Sequence, residues 1–325
     1  MKRHPEHLTI GSRGSPLALW QAEWVRGELE RRFPHISLEL KIIKTTGDKI
    51  LDSPLSSIGD KGLFTKEIEH AILRGEVDLA VHSLKDLPTS LPRGLTIGAI
   101  TQREDSHDVF IANKNNAGKP MESLPPNATI ATGSLRRRCQ LLHWRSDLTI
   151  VDLRGNLNTR FARLHESTWD GMILARAGVL RLGFEERISE VIPFERMLPA
   201  VGQGALGIEI RQNDDGVANI ISHLASRATT YATLGERAFL RYLEGGCQVP
   251  IGTLGRIEQN VFMLDAVIGS IDGRQLVRGK IHGEPAASEE LGEQLAKSLY
   301  KSGGREILEE IRRAVPQKAR VPEDV

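Results

Sequence analysis

The sequence predicts an α/β fold: two similar lobes with mainly parallel sheets, followed by a smaller α+β unit. Three observations predict it. Over roughly the first two hundred residues, short β-branched runs alternate with helical patterns, the signature of βαβ units. Ile10-Gly11-Ser12-Arg13-Gly14-Ser15 is echoed by Ile130-Ala131-Thr132-Gly133-Ser134, each a strand running into small hydroxyl residues ahead of a helix. From about Ser226 the order changes to helix first, then strands. The expected units are 1–101 with 204–224, then 104–199, then 226–325.

Leu8 to Ser12 reads as the first strand. Ser15-Pro16 supplies an N-cap and a proline suited to the first helical turn, and the helix runs to about Arg32 with Leu17, Trp20 and Trp24 on one face. Leu38 to Ile42 alternates as a half-buried strand, Phe64 to Leu73 has helical spacing, and Val77 to Val81 is a buried strand ending at His82-Ser83. The pattern restarts with strands near Val109 to Ala112, Thr129 to Thr132 and Leu148 to Leu153, with a Pro- and Asn-rich loop from Asn113 to Asn127. The glycines of Val201-Gly202-Gln203-Gly204-Ala205-Leu206-Gly207 precede a strand and lack dinucleotide-binding spacing, so they read as a hinge by which the chain returns to the first lobe. The last unit reads as a helix over Ala228 to Leu243, then strands Val249 to Ile257, Val261 to Gly269 and Gln275 to His282. Asp272-Gly273 is a hairpin signal, and helices near Ala287 to Tyr300 and Gly304 to Arg313 precede a frayed tail from Pro316.

A chain of 325 residues exceeds one comfortable core, and its net charge of +1 argues against coating nucleic acid or membrane through its overall field. Apolar runs are too short to span a bilayer, and no apolar stretch follows the basic start, so the expectation is a cytosolic protein. The two cysteines, Cys139 and Cys247, exclude a disulfide framework or a cysteine-rich zinc site, and no metal is expected. Charge is nevertheless gathered locally. Between Ala131 and Leu164 stand Arg136, Arg137, Arg138, Arg145, Arg154, Arg160 and Arg163, against Asp147, Asp152 and no Glu. That imbalance points to an anionic ligand.

Cys247 lies in Leu243-Glu244-Gly245-Gly246-Cys247-Gln248-Val249-Pro250, a turn between helix and strand. The residues alone leave it either a small hydrophobe or a thiol ionised by nearby cations. Cys139, in a helical run, reads as packing. His82-Ser83-Leu84-Lys85-Asp86-Leu87-Pro88 sets an ammonium beside a carboxylate at the carboxyl end of a strand, where open α/β sheets bind ligands. The pair is either a solvated turn or a general acid and cation stabiliser steered by Lys85. Ser134-Leu135-Arg136-Arg137-Arg138 and Arg154 to Arg160 lie at strand-to-helix junctions, where arginines grip carboxylates or phosphates bidentately.

Five separated segments then resemble the porphobilinogen deaminase family in its own order: SRGSPLALWQA from Ser12, GDKGLFTKEIE from Gly59, AVHSLKDLPT from Ala80, ATGSLRRRCQL from Ala131 and LEGGCQVPIG from Leu243. RGNLNTR from Arg154 and LPAVGQGALGIE from Leu198 add two more. The resemblance implies two lobes similar to periplasmic binding proteins and a third domain carrying a dipyrromethane cofactor on Cys247 through a thioether. It implies that four porphobilinogen units are joined head to tail into hydroxymethylbilane with loss of ammonia, by a monomer that needs neither nucleic acid nor membrane.

By the same resemblance Asp86 matches the catalytic carboxylate, stabilising the cationic azafulvene left when the substrate loses ammonia. Lys85, Ser83, Asp86, Thr132, Ser134, Arg136, Arg137, Arg154 and Arg160 match cofactor-binding positions, and Arg13, Ser15, Lys61, Arg181 and Gln203 substrate-binding ones. Four departures make the cleft less positive or remove a hydroxyl: Thr46 for a basic residue, Ser57 for lysine, Asp60 for glycine and Gly133 for serine. A binding-protein-like receptor would account for lobes and arginines but not for Cys247. A nucleic-acid binder would need a basic balance and interleaved aromatics that this sequence lacks.

Overall fold

The computed structural model describes residues 5–49, 63–243 and 249–314. In the first lobe β1 (His7–Ser12) leads to α1 (Pro16–Arg32), β2 (Ser37–Ile42), the short α2 (Thr46–Lys49), α3 (Lys66–Leu73), β3 (Leu79–Ser83) and β4 (Leu95–Ile100). The second lobe follows with β5 (Asp108–Ala112), β6 (Thr129–Ala131), α4 (Leu135–Trp144), β7 (Thr149–Val151), α5 (Leu157–Glu166), β8 (Gly171–Ala175), α6 (Arg176–Arg181) and β9 (Glu190–Ile192). The chain then returns through β10 (Leu206–Arg211) and α7 (Asp215–Ser222) to the first lobe.

The two sheets have the same plan. One is ordered β2-β1-β3-β10-β4 and the other β7-β6-β8-β5-β9. In each, the fourth strand runs antiparallel to both neighbours, and in each it is the strand that follows a crossing from the other lobe. The internal echo is thus architectural: Ser15 caps α1 and Ser134 caps α4, each accepting the N–H three residues on. Both are α/β sheets, mainly parallel with one reversed strand each.

α1 begins and ends as the sequence predicts, but its buried face is different. Ala18, Ala22, Val25 and Leu29 face the sheet, while Trp20 and Trp24 are 37% and 36% exposed. Small side chains let the helix lie close on β1 and β3, which leaves no room for indoles beneath it. Leu17 and Trp20 turn instead toward the second lobe: Leu17 lies beside Gly178, and the Arg181 guanidinium sits 5.6 Å from the Trp20 ring centre.

The third unit is α8 (Arg227–Tyr242), the antiparallel sheet β11 (Ile251–Glu258), β12 (Val261–Gly269) and β13 (Leu276–Gly283), then α9 (Ser288–Leu299) and α10 (Arg305–Ala314). Phe239, Phe262, Leu264, Leu295, Leu299 and Ile307 fill the core between sheet and helices. Where α8 and α9 cross, a Cβ on Gly292 would lie 2.2 Å from the Gly235 carbonyl oxygen, so only glycine permits that approach.

Outgoing and returning crossings run side by side. Glu104 N–H donates to Gly204 O (3.2 Å), and Arg103 Nε donates to Gln203 O (2.7 Å). Gly202 and Gly204 have φ of +71° and +93°, as a tight reversal requires, and a Cβ at Gly204 would meet Glu104 O at 2.3 Å. Glu236 of α8, fully buried, accepts from Arg103, from Gly202 N and from Gly255 N, joining both crossings to the third unit.

Candidate active site

β3 ends in a 3₁₀ turn, Leu84–Asp86, that carries Lys85 and Asp86 out of the first sheet. Leu84 N–H donates to Ala205 O, fixing the turn against the returning crossing. Lys85 lies deep between the lobes with part of its surface still open to water, and burial pushes its ammonium down to about 8, against the opposing pull of Asp86. Its other strong electrostatic neighbours, Arg137, Asp108 and Arg136, belong to the second lobe. Asp86 is exposed toward the same space, and its charge is felt by Arg160 of α5. The carboxyl ends of the two sheets therefore face one another across a cleft, with Asp86 on one wall and the arginines on the other.

Arg136 and Arg137, on the first turn of α4, are buried and converge on one carboxylate. Arg136 Nη1 donates to Asp108 Oδ2 (2.6 Å) and Leu198 O (2.8 Å), and Arg137 donates to Asp108 Oδ1 through Nε (3.1 Å) and Nη2 (2.8 Å). Burial alone would raise the Asp108 carboxyl, but the two guanidiniums outweigh it and hold it well below the usual carboxylate range. Sequence reading missed Asp108 because it stands outside the arginine-rich segment, at the head of β5. Its one signal was an acid opening a fully apolar strand. Gln203 supports the same carboxylate: it is 1% exposed, and its Nε2 donates to Asp108 Oδ1 (3.0 Å) and Ser106 O (2.8 Å). The structure thus gives Gln203 a buried place behind the cleft wall, where sequence resemblance suggested a substrate contact.

The cations beyond this triad have fewer partners. Burial lowers Arg160 to about 10, with Arg137 pushing the same way and Asp86 opposing, while its Nε donates to Gly155 O (2.8 Å). Arg154 is lowered by burial, and its Nη2 is buried with no hydrogen-bond acceptor. Arg181, lowered by burial to about 10, donates to Gly204 O (2.7 Å). Arg13 lies 4.2 Å over the Phe64 ring at the β1–α1 corner, where Ser15 caps α1. Ser83 Oγ accepts from Gln21 Nε2 (2.8 Å), and Thr132 Oγ1 accepts from Ser134 N–H (3.3 Å). Thr46 engages Glu67 through both its N–H and its hydroxyl.

Cys247 and Lys61, with the departures at Ser57 and Asp60, lie outside the described residues. Cys139 is a packing residue, as expected: it is fully buried, burial pushes its thiol up to about 12, and its Sγ stands 3.9 Å from Pro250 O.

An orphaned buried guanidinium nitrogen, and a set of lysine and arginines larger than the acids facing it, fit a carboxylate-rich ligand. A groove of about 590 Å³ lies elsewhere, between α4, the residues after β9 and β13. Its arginines are already engaged: Arg196 with Glu190 and the Trp144 ring, Arg278 with the carbonyls of Phe194 and Glu195.

Asp108→Asn should be among the most destabilising changes in the second lobe. Removing one partner of a buried ion pair typically costs about 3–5 kcal/mol, because the remaining cations lose their counter-charge. Urea denaturation followed by a second-lobe probe such as Trp144 would measure it. Because the folded carboxyl is held below its unfolded value of about 3.9, its stabilisation is complete above that pH and is lost as pH falls toward the folded value. The variant should lack that part of the acid sensitivity. A loss near zero would mean that the arginines do not depend on Asp108.

The Lys85–Asp86 turn of one lobe and the arginines of the other face a shared space that suits a ligand bearing several carboxylates. The chain belongs to the porphobilinogen deaminase family. The family model "Porphobilinogen deaminase, dipyromethane cofactor binding domain" matches residues 8–219, and "Porphobilinogen deaminase, C-terminal domain" matches 230–301. Porphobilinogen deaminase of Chlorobium phaeobacteroides (strain BS1) is 53% identical over 94% of this chain and 98% of its own length. That of Chloroherpeton thalassium is equally similar over the same shares. Among solved structures, the Methionine Binding Protein, MetQ, aligns over 67% of this chain and 87% of its own, with 13% identity and a TM-score of 0.43. The protein is accordingly a transferase of tetrapyrrole biosynthesis: it joins porphobilinogen head to tail into hydroxymethylbilane, releases ammonia and uses a dipyrromethane cofactor.

Proposed function

We propose that Asp86 is the group that makes this cleft catalytic, and that the surrounding cations bind and orient the pyrroles by their carboxylates. The supporting observation is the placement of Asp86: an accessible carboxylate beside Lys85 and within the field of Arg160, in a cleft otherwise lined by positive charge. When porphobilinogen loses ammonia, positive charge develops on its pyrrole ring and exocyclic methylene. A preorganised carboxylate stabilises that charge and can accept hydrogen bonds from the pyrrole N–H. Lys85 and Arg160 flank Asp86 and offer donors to the acetate and propionate arms, as Arg154 does with its unpaired Nη2. Arg136, Arg137 and Asp108 hold the start of α4, which follows directly on Thr132 and the N-cap Ser134. The dipyrromethane, when bound, supplies the free pyrrole α-carbon that attacks the incoming unit, and Cys247 is its proposed attachment point. The same reading takes Arg13, Ser15, Lys61 and Arg181 as substrate contacts. It also takes the protein as a cytoplasmic monomer that binds no nucleic acid; among the described residues no helix is long and apolar enough to cross a membrane.

Lys85 gives this reading a pH test. Its ammonium, held down to about 8 by burial, is charged below that pH and neutral above it, whereas a free lysine titrates near about 10.4. Substrate binding should therefore weaken as pH rises through about 8, and by linkage a bound carboxylate should shift the transition upward. The profile of kcat/KM for porphobilinogen should show this alkaline limb, and Lys85→Gln should have low activity without it. An unchanged limb in the variant would assign the titration to another group.

A further inference from the structure

We propose that Arg138 is a further carboxylate-binding residue, one that holds a pyrrole ring after it has moved on from Asp86 as the chain lengthens. The proposal rests on the reading of the cleft given above. It starts from a guanidinium without an anion. On α4, successive residues are turned by about 100°, so three consecutive arginines face three ways. Arg136 and Arg137 spend their donors on Asp108 and backbone carbonyls. The Arg138 side chain has no hydrogen bond or ion pair among the described residues, and its Nε is buried without an acceptor. A buried donor with no partner in the protein is the usual mark of one supplied by a ligand or water.

Arg138 also has a space to serve. With Thr132, Gly133, Ser134, Ile150 and Asp152 it lines a cavity of about 250 Å³ at the carboxyl ends of β6 and β7. A water's share of the liquid is about 30 Å³, so the cavity takes a carboxylate arm and part of its ring. Gly133 puts no side chain into it. Asp152 is the acid in its wall and would repel an anion, but its charge acts on Arg154. Thr132 and Ser134 are also among its lining residues.

The cavity stands apart from the reacting centre. The strongest electrostatic neighbours of Lys85 are Asp86, Arg137, Asp108 and Arg136, and those of Arg160 are Arg137, Asp86, Arg154 and Arg163. The lining of the Arg138 cavity includes none of Lys85, Asp86 and Arg160. A ring reacting at Asp86 does not need it. A ring displaced from Asp86 by the next addition brings an acetate and a propionate that must be held somewhere, and Arg138 offers an unspent guanidinium fork for one of them.

The test uses the full-length holoenzyme and its Arg138→Gln and Arg138→Lys variants, each given limiting porphobilinogen, separated by charge and weighed whole. Arg138→Gln should add the first ring at the wild-type rate and then accumulate species with one or two added rings several-fold above wild type. Arg138→Lys should lie between the two. In parallel, phenylglyoxal labelling of Arg138, read by peptide mass, should be several-fold slower in wild-type species carrying three added rings than in the starting protein. Identical distributions in all three proteins, or labelling independent of ring number, would overturn the proposal. So would protection already present in the starting protein, which would assign Arg138 to the resident pyrroles. If no ring-bearing species formed in the wild type, the underlying reading would fall and the proposal with it, an outcome distinct from a normal wild type beside a normal variant.

Discussion

Asp86→Asn is expected to fold normally and to turn over porphobilinogen roughly a hundred- to a thousand-fold more slowly, the loss typical of removing one preorganised electrostatic group. The change preserves shape at an exposed position in a 3₁₀ turn, and the turn's hydrogen bond from Leu84 N–H to Ala205 O comes from the backbone. What disappears is the negative charge facing Lys85 and Arg160. Those cations would then act on the substrate carboxylates without opposition, so KM should not rise while kcat falls. Steady-state kinetics separates the two terms. A near-normal kcat would remove Asp86 from the chemistry, and a raised KM with unchanged kcat would make it a binding residue.

Much of this molecule is legible in the sequence because its signals are local. A serine cap followed by proline places the start of α1 within a residue, and two similar strand-to-serine corners reveal the repeated lobe. The Asp272-Gly273 turn locates the β12–β13 hairpin, with Gly273 at φ +74°. Other features depend on partners distant in sequence. β9 has only three residues and exists because β5 lies beside it. The reading also leaves β4 and β8 unplaced, since short apolar runs carry no period of their own. Trp20 and Trp24 look like a core face until Ala18, Ala22, Val25 and Leu29 are seen to face β1 and β3 instead.

The site divides along the same line. Strand-end motifs bring Asp86, Lys85 and the arginines forward as candidates, because a charged cluster at a strand's carboxyl end has few structural uses. Asp108 and Gln203 stay hidden, since their roles exist only once β5, α4 and the returning crossing meet. Their discovery changes the charge count of the cleft: two of its arginines are already neutralised in part by one buried acid. The uncommitted charge lies with Lys85, Arg154, Arg160 and Arg138.

The second large effect concerns the anchor. Cys247→Ser should give a folded protein with no pyrrolic adduct and almost no tetrapyrrole formation, because an alcohol is a far weaker nucleophile than a thiol near neutral pH. The serine keeps the size and much of the polarity, so the loss would lie in the bond to the cofactor. Cys139→Ser is the matched control. Its thiol is buried against Pro250, and burial pushes it up to about 12, so it has little thiolate to offer at any pH where the enzyme works. That variant should lose some packing and keep the adduct.

Whole-protein mass spectrometry of the purified enzyme and these two variants, before and after limiting porphobilinogen, tests the central claim of elongation on a cysteine-bound primer. The wild type and Cys139→Ser should each carry the added mass of a dipyrromethane and then gain mass one pyrrole unit at a time, whereas Cys247→Ser should show the bare polypeptide mass throughout. A dipyrromethane mass retained in Cys247→Ser, or ladder growth in its absence, would contradict the account.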